Sequence, residues 1–199
     1  MQLKVNGENV DITLEGEKTV GEILKSFEAE ASKNEATTTN IILNGKEVAA
    51  DEFEKILGEP ILDDTSIDLT VVSRTALVRN FKESGKKLEE IQAELGNVST
   101  LLQSGKDAQV GKIITALADE ISNFLHIARL SCSLFPEFYN SLEAGGKDIG
   151  QFLEDFMPFL KDFEEALGSK DTVTVGDIAE YEISPRLQQM AEAVAGLKE

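Results

Sequence analysis

The residue types that carry most enzymatic and metal chemistry are scarce in this chain, and their spacing works against such chemistry. There is one histidine, His126, and one cysteine, Cys132. They lie six apart on a stretch that reads as helix, which puts them on different turns and faces, so they do not form a nucleophile–base pair. A carboxylate-bridged di-metal centre needs two Glu-x-x-His pairs, and the residue three before His126 is Asn123. A site made of carboxylates alone stays open in so acidic a chain, but no loop has EF-hand spacing. Gly145-Gly146-Lys147 lacks both the spacing of a phosphate-binding loop and the strand that should precede it. Cys132 is expected as a small core residue. These residues indicate no reaction, metal or cofactor.

The element that positions His126 and Cys132 is the one around which the C-terminal part is organised. Val110, Ile113, Ile114, Leu117, Ala118, Ile121, Phe124, Leu125, Ala128, Cys132 and Phe135 recur at helical spacing, with Ile127, Leu130 and Leu134 widening the apolar surface. Asp119, Glu120, Asn123, His126 and Arg129 make this helix too polar for a membrane span. It reads as the central rod of a bundle. His126 and Arg129 interrupt its most apolar part. Either they lie at its edge, with Arg129 paired to Glu180 or Glu182, or they line a groove for a partner.

Before this rod, Leu77, Phe81, Leu88, Ile91, Leu95, Val98 and Leu102 keep a heptad-like rhythm, weakened by Gly85 and Gly96. Ser73 or Thr75 can cap that helix directly after a strand. Pro136 should stop the rod, and Gly145-Gly146 reads as a loop. A third helix carries Phe152, Phe156, Phe159 and Phe163, with Pro158 inside it. Core packing is the first reading of that stripe, and a groove or dimer seam is the second, with Phe138 and Tyr139 on the same surface. A fourth helix from about Thr174 has the stripe Ile178, Tyr181, Leu187, Met190, Val194 and Leu197, broken near Pro185. Four amphipathic segments with short connections predict an antiparallel four-helix bundle over 74–199.

Residues 1–73 have another rhythm. Leu3 and Val5, then Val10, Ile12 and Leu14, alternate with polar residues as two strands around an Asn6-Gly7 turn. Thr19-Val20-Gly21-Glu22 has capping-box spacing and opens a helix. Ile41-Ile42-Leu43, Asn44-Gly45 and Lys46-Glu47-Val48 read as strand, turn and short strand. A helical turn follows near 51–57, and Ile67, Leu69 and Val71 mark the last strand.

In that order "MQLKV", "ITLE", "IILNGKEV" and "LDDTSIDLTVV" resemble the ubiquitin-like proteins. The resemblance implies a β-grasp fold for residues 1–73 and an α+β protein overall. Modifiers of this family end in a conjugated diglycine. Here Val72-Ser73-Arg74 runs on into a helix, and the chain closes on Leu197-Lys198-Glu199, so conjugation is not expected. What the resemblance carries over is a binding patch on the sheet, at Ile42, Asp68 and Thr70 with Lys46 at the neighbouring turn. Of these only Ile42 is strongly apolar, which weakens the patch.

The formal charge is −18, and both parts are acidic. Such a field repels nucleic acid and anionic membranes and suits a basic partner or simple solubility. One cysteine excludes an internal disulfide, and no signal peptide or membrane span is read, so a cytoplasmic protein is expected. The leading expectation is a non-catalytic adaptor or assembly factor that binds other proteins, either as a monomer or as a homodimer across the long apolar stripes. The alternatives are a chaperone shielding a client's amphipathic helix in the bundle, and an enzyme or small-molecule or metal-binding protein of unfamiliar type.

Overall fold

A computed structural model of the chain describes residues 1–198. The expected second domain and the closing tripeptide thus include one residue, Glu199, outside those described. The chain divides into two compact units, Met1–Ala76 and Leu77–Glu199. It is an α+β protein: a mixed five-stranded sheet with a helix comes first, and a mainly helical region follows.

In the first unit the sheet order is β2 (Glu8–Val10), β1 (Gln2–Val5), β5 (Ser66–Ser73), β3 (Ala36–Leu43), β4 (Lys46–Glu47). β1 runs parallel to β5, and the other pairs are antiparallel. Both two-residue turns hold Asn and Gly at positive φ, Asn6 and Gly7 at 52° and 83°, Asn44 and Gly45 at 52° and 80°. That double left-handed geometry matches the twist of the strands it joins, and Asn-Gly adopts it at low cost. Helix α1 (Val20–Lys33) opens with the expected capping box: Thr19 accepts from the Glu22 N–H, and Glu22 accepts from the Thr19 N–H. Val20, Ile23 and Leu24 then pack on Leu3, Leu43, Ile67 and Leu69, with Ile56 of the short α2 (Phe53–Ile56) closing the core.

Two strands differ from expectation. β2 stops at Val10 instead of running to Leu14. Leu3 pairs with Val10, so β1 has almost no residues left to pair beyond it, and backbone without a ladder leaves the sheet. β3 begins at Ala36, five residues before the apolar run, because Thr37 and Thr38 pair with Val72 and Val71 ahead of a bulge between Thr38 and Asn40.

The second unit contains α3 (Arg74–Leu95) from Leu77 onward, α4 (Val98–Gln103), α5 (Asp107–Leu134), α6 (Pro136–Asn140), a hairpin of β6 (Glu143–Ala144) and β7 (Lys147–Asp148), α7 (Ile149–Ser169), α8 (Thr172–Asp177), a π-helical stretch (Ile178–Ile183) and α9 (Ser184–Ala195). Ser73 caps α3 through the Ala76 N–H. The heptad-like first helix breaks at Gly96 into α3 and α4. Gly145 and Gly146, both at positive φ, turn the small hairpin rather than an open loop. α7 runs through Pro158. Pro185 opens α9, and the turn before it widens: the Ser184 N–H bonds the Ala179 carbonyl, five residues back. The extra residue per turn rotates the helix face, so Tyr181, expected in the buried stripe, is 64% exposed while Ala179 and Ile183 are buried.

The buried seam of α5 differs from the expected one. Val110, Ile113, Leu117, Glu120, Phe124, Ile127 and Ser131 are all buried, at spacings alternating 3 and 4. Cys132 lies one step off this seam and is exposed, which corrects its expected place in the core. α3 shows the same alternation at Leu77, Phe81, Ser84, Leu88, Ile91 and Leu95. The two seams meet where the Phe81 and Phe124 rings stand edge to face, centroids 5.1 Å apart. Among the described residues no helix is long and apolar enough to cross a membrane.

Candidate binding surfaces

Two mainly apolar clefts of the first unit lie on opposite sides of α1. One lies between α1 and the stretch that leaves the sheet after β2. Its floor is Leu3, Ile23, Phe27, Ala31 and Val71, and Val10, Ile12 and Leu14 hang over it. These last are 38%, 39% and 43% exposed, although their alternation is that of a strand burying one face. The volume is about 450 Å³, and the charged groups in its lining are Glu17 and Glu30. Glu17 is fixed there by a hydrogen bond from Ser26 and by the Glu15 N–H. Backbone N–H donors hold its carboxyl below the usual range, with Ser26 adding to the effect. An apolar opening edged by carboxylates results.

The other cleft, of about 1100 Å³, lies between α1 and β3. Leu24, Ile41, Val48, Phe53 and Leu57 contribute apolar surface, while Glu22, Lys25, Glu28 and Thr37 to Asn40 contribute polar groups. Glu28 reaches across it: its carboxylate accepts from the Thr37 hydroxyl at 2.8 Å, the Thr38 hydroxyl at 2.9 Å and the Thr38 N–H at 3.2 Å.

The sheet positions singled out from the sequence do share a face. Ile42 pairs with Asp68 and with Glu47, and Thr70 with Asn40. Lys46 is exposed and ion-paired to Glu52 at 3.0 Å. That hydrogen bond is also what holds the Glu52 carboxyl below its usual range. Ile42 is half-buried between acidic neighbours, without apolar company in register.

In the second unit His126 and Arg129 are both exposed on α5. Arg129 does not pair with Glu180 or Glu182 among the described ion pairs. Arg186, one turn from Glu182 on its own helix, takes that carboxylate at 2.8 Å and lies over the Phe159 ring. Proximity along one helix outweighs reach from another. Phe138, expected on a surface, is buried against Phe81. Tyr139 is half-buried. Burial, then the electrostatic influence of Cys132, Asp148 and Glu154, pushes its phenol above the ordinary range. Of the Phe stripe of α7, Phe152, Phe156 and Phe163 are buried core, while Phe159 is half-buried under Arg186.

Sequence reading missed a buried carboxylate. Glu120 is 5% exposed. It accepts from Ser84 Oγ at 2.5 Å and Asn123 Nδ2 at 2.8 Å, with Lys87 Nζ at 3.4 Å. The 3–4 spacing on both helices is the signal that would have found it. Among the described residues, no three His, Cys, Asp or Glu side chains lie together as a metal set.

The fold and these surfaces define an α+β protein of two units with open clefts in the first. The chain belongs to the family described as Domain of unknown function (DUF8042), whose model matches residues 80–193. Residues 1–73 match the model described as TP0873 N-terminal domain, a description that carries no ubiquitin designation. An uncharacterized protein of Treponema pallidum (strain Nichols) is 27% identical over 194 residues, covering 98% of this chain and 96% of that protein. No solved structure matches the chain.

Proposed function

We propose that the protein is a non-catalytic protein-interaction factor that receives the apolar face of a basic amphipathic segment in the cleft between α1 and residues 10–14. The observation that carries this is the pairing of Val10, Ile12 and Leu14, exposed over an apolar floor, with an edge of Glu17 and Glu30. Apolar side chains held open at a concave, acid-edged site suit a partner with apolar anchors and flanking Lys or Arg. The chain's charge of −18 acts in the same direction at longer range.

The finer fold reading supports the same class. The strand order 2-1-5-3-4, with β1 parallel to β5 and one helix between β2 and β3, is that of a ubiquitin-like β-grasp. β5 continues into α3 at Arg74, so no free tail for conjugation follows the sheet. A binding role without conjugation fits that arrangement. For the second unit we retain a four-helix arrangement of α3, α5, α7 and α9, with the other helices as connections.

The test is site-specific photo-crosslinking from position 12 of the full chain in lysate of the source cell, with Val10→Asp/Leu14→Asp as the comparison. Both residues are exposed, so the variant keeps the fold, checked by its circular dichroism melt. The expected result is a discrete crosslinked protein whose attached peptide is apolar with Lys or Arg flanks, lost in the variant. The same products from both proteins, or attachment to an acidic peptide, would overturn the reading.

A further inference from the structure

We propose that the free edge of β3 from Ala36 to Asn40 is a strand-addition site for a second copy of this chain, and that the Glu28 carboxylate holds it shut. β4 pairs with β3 only at Ile42 and Leu43. From Ala36 to Asn40, among the described residues, no strand lies beside β3 on the side away from β5. The Thr38 N–H on that side is taken by Glu28, which also holds the hydroxyls of Thr37 and Thr38. A carboxylate therefore stands where a neighbouring strand's carbonyl would be. Proteins mask bare edges in this manner because such edges recruit other strands. Here the mask is one side chain over an open cleft of about 1100 Å³, so it can swing aside.

The edge fits a copy of itself. Ala36-Thr37-Thr38-Thr39-Asn40 carries no charge in a chain of −18, so two copies can meet here without the repulsion that other surfaces impose. Antiparallel pairing about a two-fold axis through Thr38 opposes Thr to Thr, a stabilising cross-strand pair. Glu28, bonded to Thr38, lies beside that axis, so the two copies' carboxylates repel each other there and add to the mask that Glu28→Ala removes. The cleft of the proposed partner segment lies on the other side of α1, so the two inferences stand apart.

The test compares the full chain, Glu28→Ala and Glu28→Ala/Thr38→Pro by sedimentation equilibrium and amide exchange, with folding checked by thermal melts. Opening the mask should tighten self-association at least about tenfold, equivalent to about 1.4 kcal/mol. It should also protect the Thr38 amide as concentration rises, and proline at 38, which lacks the N–H, should abolish both effects. A folded Glu28→Ala protein that associates no more than the parent, or a dimer indifferent to Thr38→Pro, overturns the proposal. If Glu28→Ala does not fold, Thr38→Cys/Cys132→Ser should form a covalent dimer under mild oxidation and Thr70→Cys/Cys132→Ser, on the outward sheet face, should not. Equal behaviour of the two overturns it.

Discussion

Ser84, Glu120 and Ser131 occupy seam positions that their neighbours fill with Leu, Ile and Phe, and the three are not equivalent. Glu120 is buried but has a hydroxyl, an amide and an ammonium around it. A carboxylate so surrounded tolerates burial, and its bond to Ser84 ties one register of α3 to α5, as a buried polar pair does in a coiled coil. Ser84→Ala leaves the charge with one fewer donor. It is expected to cost about 1.5–3 kcal/mol, the range for hydrogen bonds to charged groups. Ser131 is fully buried and its Oγ has no hydrogen-bond partner. Ser131→Ala removes an unrewarded desolvation and should stabilise by about 1 kcal/mol. Urea unfolding followed at 222 nm measures both, and a gain for Ser84→Ala would contradict the seam argument.

At the scale of elements, α3 and α9 approach closely at a glycine. A Cβ on Gly85 would lie 2.6 Å from Val194 Cγ2 and 3.5 Å from the Ala191 carbonyl oxygen. Gly85 was legible only as a flaw in a helix, since Gly costs about 1 kcal/mol there relative to Ala. The structure shows what that flaw allows. Gly85→Ala should therefore destabilise on balance, because overpacking costs about 1–3 kcal/mol and outweighs the helical gain. In the pair Gly85→Ala/Val194→Ala the added and removed methyl groups face each other, so the double variant should lose less than the sum of the singles. Additive losses in that cycle would show that the clash is not the cause.

At the scale of the molecule, charge is the dominant property and acts in two opposite directions on acidification. The net charge of −18 destabilises the compact state by self-repulsion, which lessens as carboxylates protonate toward the pI of about 4.4. Against this stand carboxylates held below their ordinary range: Asp155 by Lys147 and Gln151, Asp171 by the N–H and hydroxyl of Thr174 at the start of α8, Glu52 by Lys46, and Glu17 by backbone donors. A depressed folded pKa contributes stability that is present above the ordinary value and lost as pH falls through the depressed one. The melting temperature at low salt should thus rise as pH drops from about 7 to about 5 and fall below about 4. Salt at about 0.15 M should flatten the first limb, since exposed charges are screened. Calorimetry across pH at two salt concentrations checks both, and a fall from pH 7 downward at low salt would mean that repulsion is not limiting.

Local signals decided what short stretches do by themselves. The Asn-Gly turns, the Thr19/Glu22 capping box, the strand alternation and the long 3–4 rhythm of α5 are each set by backbone sterics and by hydrogen bonds a few residues apart, so they could be read directly. Partnership could not be. The run Val10 to Leu14 has the pattern of a buried strand, but only tertiary register shows that β1 ends before it can be paired, which leaves its apolar side chains over a cleft. Cys132 and Tyr181 carry the right spacing for a core and lie outside it, because a seam drifting along α5 and a widened turn before Pro185 rotate them out. Phe138 looked like surface after a proline and is core. Glu28 and Glu120 are two acids among 37 Asp and Glu residues. The 3–4 rhythm of α5 turns Glu120 inward, but nothing in either neighbourhood names Thr38 or Ser84 as the group that is met, since those partners are brought near only by the fold.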